Sequence, residues 1–217
     1  MKKHKALLSA LLLVGASASQ ASLIETVSGW DGEHGTFPFG RPNTATIGQT
    51  FNTGSDNYLS QLAFYLSDDL VGQAVEFQVY LAQWDGEKAV AGTGEFLGQY
   101  SSDGSGSYAR FDLSSLSVYL NQFSDYIFFL TTSYSQIGQP DSEAWVGSLE
   151  EDGYLAGDLV YLNNGGQFDD VYSQSWNYWY DADLAFELTL TEVPEPTGLA
   201  LMGFAVLALA GRRLRRA

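Results

Sequence analysis

The sequence predicts an all-β body, a two-sheet antiparallel sandwich of jelly-roll type. Three observations predict it. Several segments alternate apolar and polar residues with period two. Turn dipeptides recur between them, at Asp31-Gly32, Asp85-Gly86, Asp103-Gly104, Asp152-Gly153 and Asn164-Gly165-Gly166. No long stretch of helical periodicity interrupts residues 22–193. About eight short strands in that length make two packed sheets the natural solution, because a strand that is apolar on one face must bury that face.

Residues 1–21 stand apart from this body. Lys2, Lys3 and Lys5 precede an apolar run from Ala6 to Val14, and small residues follow. That order is the order of an export signal, predicted to form a helix and to be removed by signal peptidase. Ser19-Gln20-Ala21 fits the small-x-small cleavage rule, with Ala16-Ser17-Ala18 as the competing site. The strands follow. "TIGQTF" opens the regular pattern. In "QLAFYLS", Leu62, Phe64 and Leu66 share a face. In "AVEFQVYLAQW", Val75, Phe77, Val79 and Leu81 do the same. "YARFDL" is a shorter version, and the chain from Leu113 to Phe123 has room for one helical turn. "DYIFFLTTS" is apolar on both faces and reads as a central strand. "DLAFELTLTE" closes the series, with Leu184, Phe186, Leu188 and Leu190 on one side. "WDGE" occurs twice, at Trp30 and at Trp84, in unlike surroundings, so it reads as one turn used twice.

Residues 193–217 form the second terminal segment. The run from Thr197 to Ala210 carries no charge, and Arg212, Arg213, Arg215 and Arg216 lie beyond it. Basic residues flanking an apolar span stay on the cytoplasmic side, so this helix would leave the body, residues 22–192, outside. The export signal demands the same orientation. Pro194 and Pro196 cannot both continue a helix and mark a boundary in front of the span. Between the two ends the charge is one-sided. Residues 22–193 hold 25 acidic residues against Arg41, Lys88 and Arg110, a net charge of −22. Nucleic acid binding, which needs Lys and Arg against phosphates, is excluded as a function class. The chain has no cysteine, so no disulfide staples the exported body.

Val193-Pro194-Glu195-Pro196, the apolar run and the terminal arginine cluster resemble the PEP-CTERM sorting signal. The resemblance implies that an exosortase recognises Pro194, Glu195 and Pro196. It implies that the chain is held in the inner membrane of a Gram-negative bacterium until the tail is removed. It also implies a link to exopolysaccharide, biofilm or floc formation at the cell surface or in the matrix. An ordinary anchor that is never cleaved is the alternative. The order of segments in the body, from "GQTF" through "GDLVYLNNGG" to "DLAFELTL", is similar to the β-sandwich domains that precede such tails, which resemble galactose-binding and other carbohydrate-binding modules.

Catalytic chemistry is poorly represented, and the body reads as non-enzymatic. Outside the signal segment His34 is the single histidine, in "DGEHGTF", so a Ser-His-Asp triad would have to use it. Scarce His and absent Cys argue against zinc. A hydrolase needs only two carboxylates, but nothing marks one pair among so many. No cofactor is expected. Calcium is the one metal the composition suits, with Asp169 and Asp170 beside glycines, and Glu151, Asp152 and Asp158 in "EEDGYLAGD"; neither follows a known loop spacing. The densest candidate is "DDVYSQSWNYWYDAD", which places Tyr172, Trp176, Tyr178, Trp179 and Tyr180 among Asp, Asn and Gln. Flat rings with hydrogen-bonding neighbours suit sugar recognition. Trp176, Tyr178 and Trp179 are the candidate polysaccharide contacts. Trp176 and Trp179 are three apart, so in a regular strand one faces the core and the other faces out. The alternatives to a polysaccharide-binding surface protein are a two-carboxylate hydrolase and a purely structural or adhesive matrix protein.

Overall fold

A computed structural model describes residues 21–68, 73–133, 141–151, 153–179 and 182–193. The export signal, Pro194-Glu195-Pro196, the apolar run and the four terminal arginines lie outside the described residues. The described chain forms β1 Ala21–Glu25, β2 Gly35–Gly40, β3 Thr46–Asn52, β4 Tyr58–Asp68, β5 Glu76–Gln83, β6 Glu95–Ser101 and β7 Ala109–Tyr119. It continues with β8 Asp125–Thr131, β9 Glu143–Leu149, β10 Leu159–Leu162, helix α1 Asp170–Ser173, β11 Asn177–Trp179, β12 Asp183–Leu184 and β13 Phe186–Thr191. No helix among the described residues is long and apolar enough to cross a membrane.

Two antiparallel sheets result. One runs β1-β13-β4-β9-β12, with β2 added on β9 and β7 on β4. The other runs β11-β10-β3-β8-β5-β6. The alternating residues of β4, β5 and β13 meet between them. Leu62, Phe64 and Leu66 face Phe77, Val79 and Leu81 across the interior, joined by Leu184, Phe186, Leu188 and Leu190. Each of these side chains contributes about 1.5–3 kcal/mol by leaving water. β8 sits in the middle of its sheet, as its two apolar faces require. Phe128 and Leu130 enter the main core. Ile127 and Phe129 point the other way, into a second cluster with Ala82, Trp84, Val160, Leu162, Val171 and Trp176. Residues 163–178 form the cover over that outer face.

A buried polar network fastens the start of the cover. Thr46 Oγ1 lies 2.9 Å from Thr131 Oγ1 and donates to Asn164 Oδ1 at 2.9 Å. Asn164 Nδ2 donates to Ser133 Oγ and to the Gln167 carbonyl, each at 3.0 Å. Gly48 makes room beneath: a Cβ there would meet the Phe128 carbonyl at 2.7 Å and Ile127 Cδ1 at 2.9 Å.

The stretch after Leu113 is strand, not helix. Ser115 takes a left-handed φ of 63°, and the register between β4 and β7 shifts beside it, between Leu59 and Gln61. β7 spends two residues more than β4 across this shift, and Leu116 and Val118 turn toward the same core as Leu113. The two "WDGE" turns share one geometry. Asp31 Oδ1 accepts from the backbone N–H of Glu33 and His34, and Asp85 Oδ1 accepts from those of Glu87 and Lys88, every bond at 2.9 Å. Gly32 and Gly86 both hold positive φ, 83° and 98°.

Candidate functional site

The aromatic loop divides by face. β11 pairs antiparallel with β10, setting Tyr178 opposite Val160 and Trp179 opposite Leu159. Trp176 lies in the outer-face cluster at 4 % exposure. Its ring stands edge-on to Trp84 at 5.8 Å and to Phe129 at 5.6 Å, and its indole N–H donates to the Val171 carbonyl at 3.0 Å. Trp176 therefore cannot be a surface contact; the expectation that it touches ligand is corrected by this packing. Trp179 is 42 % exposed, at the edge of its sheet, edge-on to Tyr161 at 5.7 Å. Asn177, two residues earlier on the same face, is also exposed. Tyr180 lies outside the described residues.

Tyr178 points to the other face and is half-buried, its hydroxyl donating to the Gly86 carbonyl. Burial raises its phenol above the ordinary value. It lines a groove of about 360 Å³ together with Thr50, Trp84, Asp125, Leu155 and Asp158. Leu155 is 90 % exposed on that rim. The rim segment at Gly153 and Tyr154, just before Leu155, is fixed from below by Asp183, which is buried. Asp183 Oδ2 accepts from the N–H of Gly153 at 2.8 Å and of Tyr154 at 2.7 Å, and Oδ1 accepts from Gln49 Nε2 at 2.7 Å.

A second pocket, about 340 Å³, has Trp30, Asp31, His34, Ser148, Glu150 and Glu151 in its walls. The Asp31 carboxylate receives two backbone N–H groups, His34's first, and is held down to about 2. Its contact with His34 Nδ1 raises the imidazole above its ordinary value. Ser148 shares the wall, but its hydroxyl lies 2.8 Å from Thr36 Oγ1. Its link to His34 is through the backbone, N–H to carbonyl at 3.3 Å.

The acidic clusters are dispersed. Asp169 precedes α1 at its N-cap position without a side-chain capping bond, and Asp170 is its first residue. Glu151 is exposed on the second pocket, Asp158 lies on the first groove, and Asp152 is outside the described residues. Among the described residues no group of three or more His, Asp or Glu stands close enough to hold a metal ion.

The sorting segment begins where the fold ends. Val193 is held by one side chain: its N–H donates to Asn57 Oδ1 at 2.8 Å, and Asn57 Nδ2 donates to its carbonyl at 3.1 Å. Sequence reasoning missed this clamp, since Asp-Asn in front of a strand reads as turn chemistry. It missed the Asp183 network for a related reason: the Asp before an apolar strand looks like surface.

A body of two packed β-sheets ends at the Val193 clamp, and an apolar, arginine-ended segment follows it in the sequence, the layout of a β domain with a C-terminal sorting segment. That segment matches the family model described as PEP-CTERM protein-sorting motif, over residues 192–216. The chain carries this motif, which implies export, membrane anchoring by the C-terminal signal before processing, and processing by an exosortase. Comparison with curated proteins finds no match. Among solved structures, the cysteine protease and lectin-like domains of Cwp84, a surface layer associated protein of Clostridium difficile, align at 14 % identity and TM-score 0.43, over 70 % of this chain and 33 % of that one. The clostridial Cwp84 protease after propeptide cleavage aligns at 11 % identity and TM-score 0.48, over 80 % of this chain and 40 % of that one. Infectious bursal disease virus, Gt strain, aligns at 12 % identity and TM-score 0.33, over 91 % and 48 %. This chain spans less than half the length of each, and nothing of their activities carries over.

Proposed function

We propose that the mature body is a non-catalytic polysaccharide-binding module of the cell surface or extracellular matrix, acting in an exopolysaccharide or biofilm setting. One observation carries this reading. Trp179 leaves a large part of its ring in solvent at a sheet edge, propped by Tyr161, with the exposed Asn177 beside it on the same face. An indole face stacks on the apolar face of a sugar ring, and an amide bonds its hydroxyls. The body's charge of −22 favours neutral or basic glycans over acidic ones.

The test is retention of the mature protein on polysaccharide from the producing cells and on a glycan array, with and without calcium. Trp179→Ala is expected to lose retention while keeping the wild-type melting temperature. Wild-type retention by the folded variant refutes the stacking role. Release of reducing sugar by the wild-type protein replaces the reading with the hydrolase.

A further inference from the structure

Two large rings stand in solvent at the end of the sandwich that holds Val193. Tyr119 is 72 % exposed and Phe123 is 74 % exposed. They flank the turn from β7 to β8. That turn is tied to the turn before β4: the Leu120 N–H donates to the Asn57 carbonyl at 2.8 Å, and the Phe123 N–H to that of Gly54 at 2.6 Å. Tyr119 stands edge-on to Tyr58 at 5.3 Å. Asn57 links the same turn to the chain exit. Its backbone N–H donates to the Thr191 carbonyl at 3.1 Å, and its side chain clamps Val193. β1 starts here too, with Ala21 opposite Thr191.

Two further features single out this patch. Phe123 holds a left-handed φ of 52°. Gly or Asn is usual in that conformation, and a bulky ring is uncommon. The fold therefore tolerates an unfavourable backbone to present an apolar side chain to the outside. The patch is also nearly free of charge in a body with 25 carboxylates. The stretches Thr53–Tyr58 and Tyr119–Ser124 contain one, Asp56, and it is buried. Exposed Asp125 and Glu192 border the patch.

The chain beyond the exit names the occupant. Only Pro194, Glu195 and Pro196 separate Val193 from the apolar run that starts at Thr197. Fully extended, that connection reaches about 14 Å. While the tail is in the bilayer, the clamped end of the body cannot be farther than this from the hydrocarbon edge. Aromatic side chains partition into the headgroup layer, and the bordering carboxylates keep the contact at that depth.

We propose that Tyr119 and Phe123 form a lipid-contacting patch that seats the folded body on the membrane surface while the sorting segment is uncleaved. The occupant is the phospholipid headgroup layer. Removal of the tail then frees a body that has only this shallow contact to break.

The absence of cysteine in the chain makes the test direct. Single cysteines are introduced as Phe123→Cys and, at the far end of β7, Ser107→Cys in the exposed turn before it. Each is labelled with a fluorophore in the full-length, uncleaved chain. The chains are reconstituted into vesicles of phosphatidylethanolamine and phosphatidylglycerol carrying a headgroup-attached quencher. Flotation reports tail insertion separately. In floated protein the label at 123 is expected to lose its emission, and the label at 107 to keep it. Equal emission from both labels in floated protein overturns the proposal. Quenching at 123 only in membranes that also contain an exosortase overturns it too, and makes the patch a protein contact. A chain that does not float removes the anchor on which the proposal rests.

Discussion

Trp176→Ala tests the cover over the outer face of the β3–β8–β5 sheet. The substitution removes a ring that touches Trp84 and Phe129 and deletes the donor to the Val171 carbonyl. Truncation of a buried Trp costs about 3–5 kcal/mol. The orphaned carbonyl of a fully buried residue pushes the value toward the upper end. For a domain of this size each kcal/mol lowers the melting temperature by about 2–4 °C, so the variant is expected to melt roughly 6–20 °C below wild type. Trp176→Phe keeps a ring and loses the hydrogen bond, so it should cost about 1–2 kcal/mol. Trp179→Ala, at an exposed position, should stay within about 0.5 kcal/mol. The assay is thermal unfolding followed by circular dichroism, with limited chymotrypsin digestion beside it. The outer cluster is separate from the main core, so its loss should also open Phe168, Tyr172 and Tyr178 to cleavage before the body unfolds. A Trp176→Ala protein that melts with wild type and resists cleavage in the cover would refute the reasoning, because the ring would then not be what holds the cover down.

Gly48→Ala is expected to destabilise by about 1–3 kcal/mol in urea unfolding, because the new methyl collides with the Phe128 carbonyl as well as with the Ile127 side chain, and the backbone cannot move aside. His34, the one histidine outside the export signal, should titrate by NMR above the ordinary value of 6.5, and Asp31→Asn should bring it down. The sign follows: the stabilisation from this pair is fully present below the unfolded histidine's pKa and fades as pH rises through the higher folded one. It is lost at the acid end as pH falls toward the Asp31 value of about 2, and both groups are fully exposed, so the melting temperature should hardly move. Replacing Pro194, Glu195 and Pro196 with alanines should leave the protein in the membrane fraction, whereas wild-type protein from the medium should have an intact mass that ends near Val193; a released form that still carries Arg215 and Arg216 contradicts processing.

Where burial follows a simple period, the fold was legible. The faces of β4, β5 and β13 were readable because one side of each meets the main core, and β8 declared its central place by being apolar on both. The bulge at Ser115 was not readable. It brings Leu113 and Leu116, which are three apart, to one face, and that spacing imitates a helix. β1 left no mark because only Ile24 packs inward and its pairing partner is the far end of the body. Odd spacing showed that Trp176 and Trp179 must diverge. Which of them is buried depends on a cover that packs on the outside of a sheet, and a single strand's pattern does not reveal what lies beyond its second face. The sorting motif needed no fold at all, because its three parts are adjacent in sequence.

The pairing of β1 with β13 has a consequence for the order of events during export. β1 is the first part of the body to leave the cytoplasm and β13 is the last, yet β13 is the strand beside which β1 lies, residue for residue from Ala21–Thr191 to Glu25–Glu187. β4 likewise takes β13 along most of its length. A chain emerging N-terminus first must hold both strands unfinished until residue 191 has crossed. The sandwich therefore closes only once residue 191 has crossed, three residues short of Pro194.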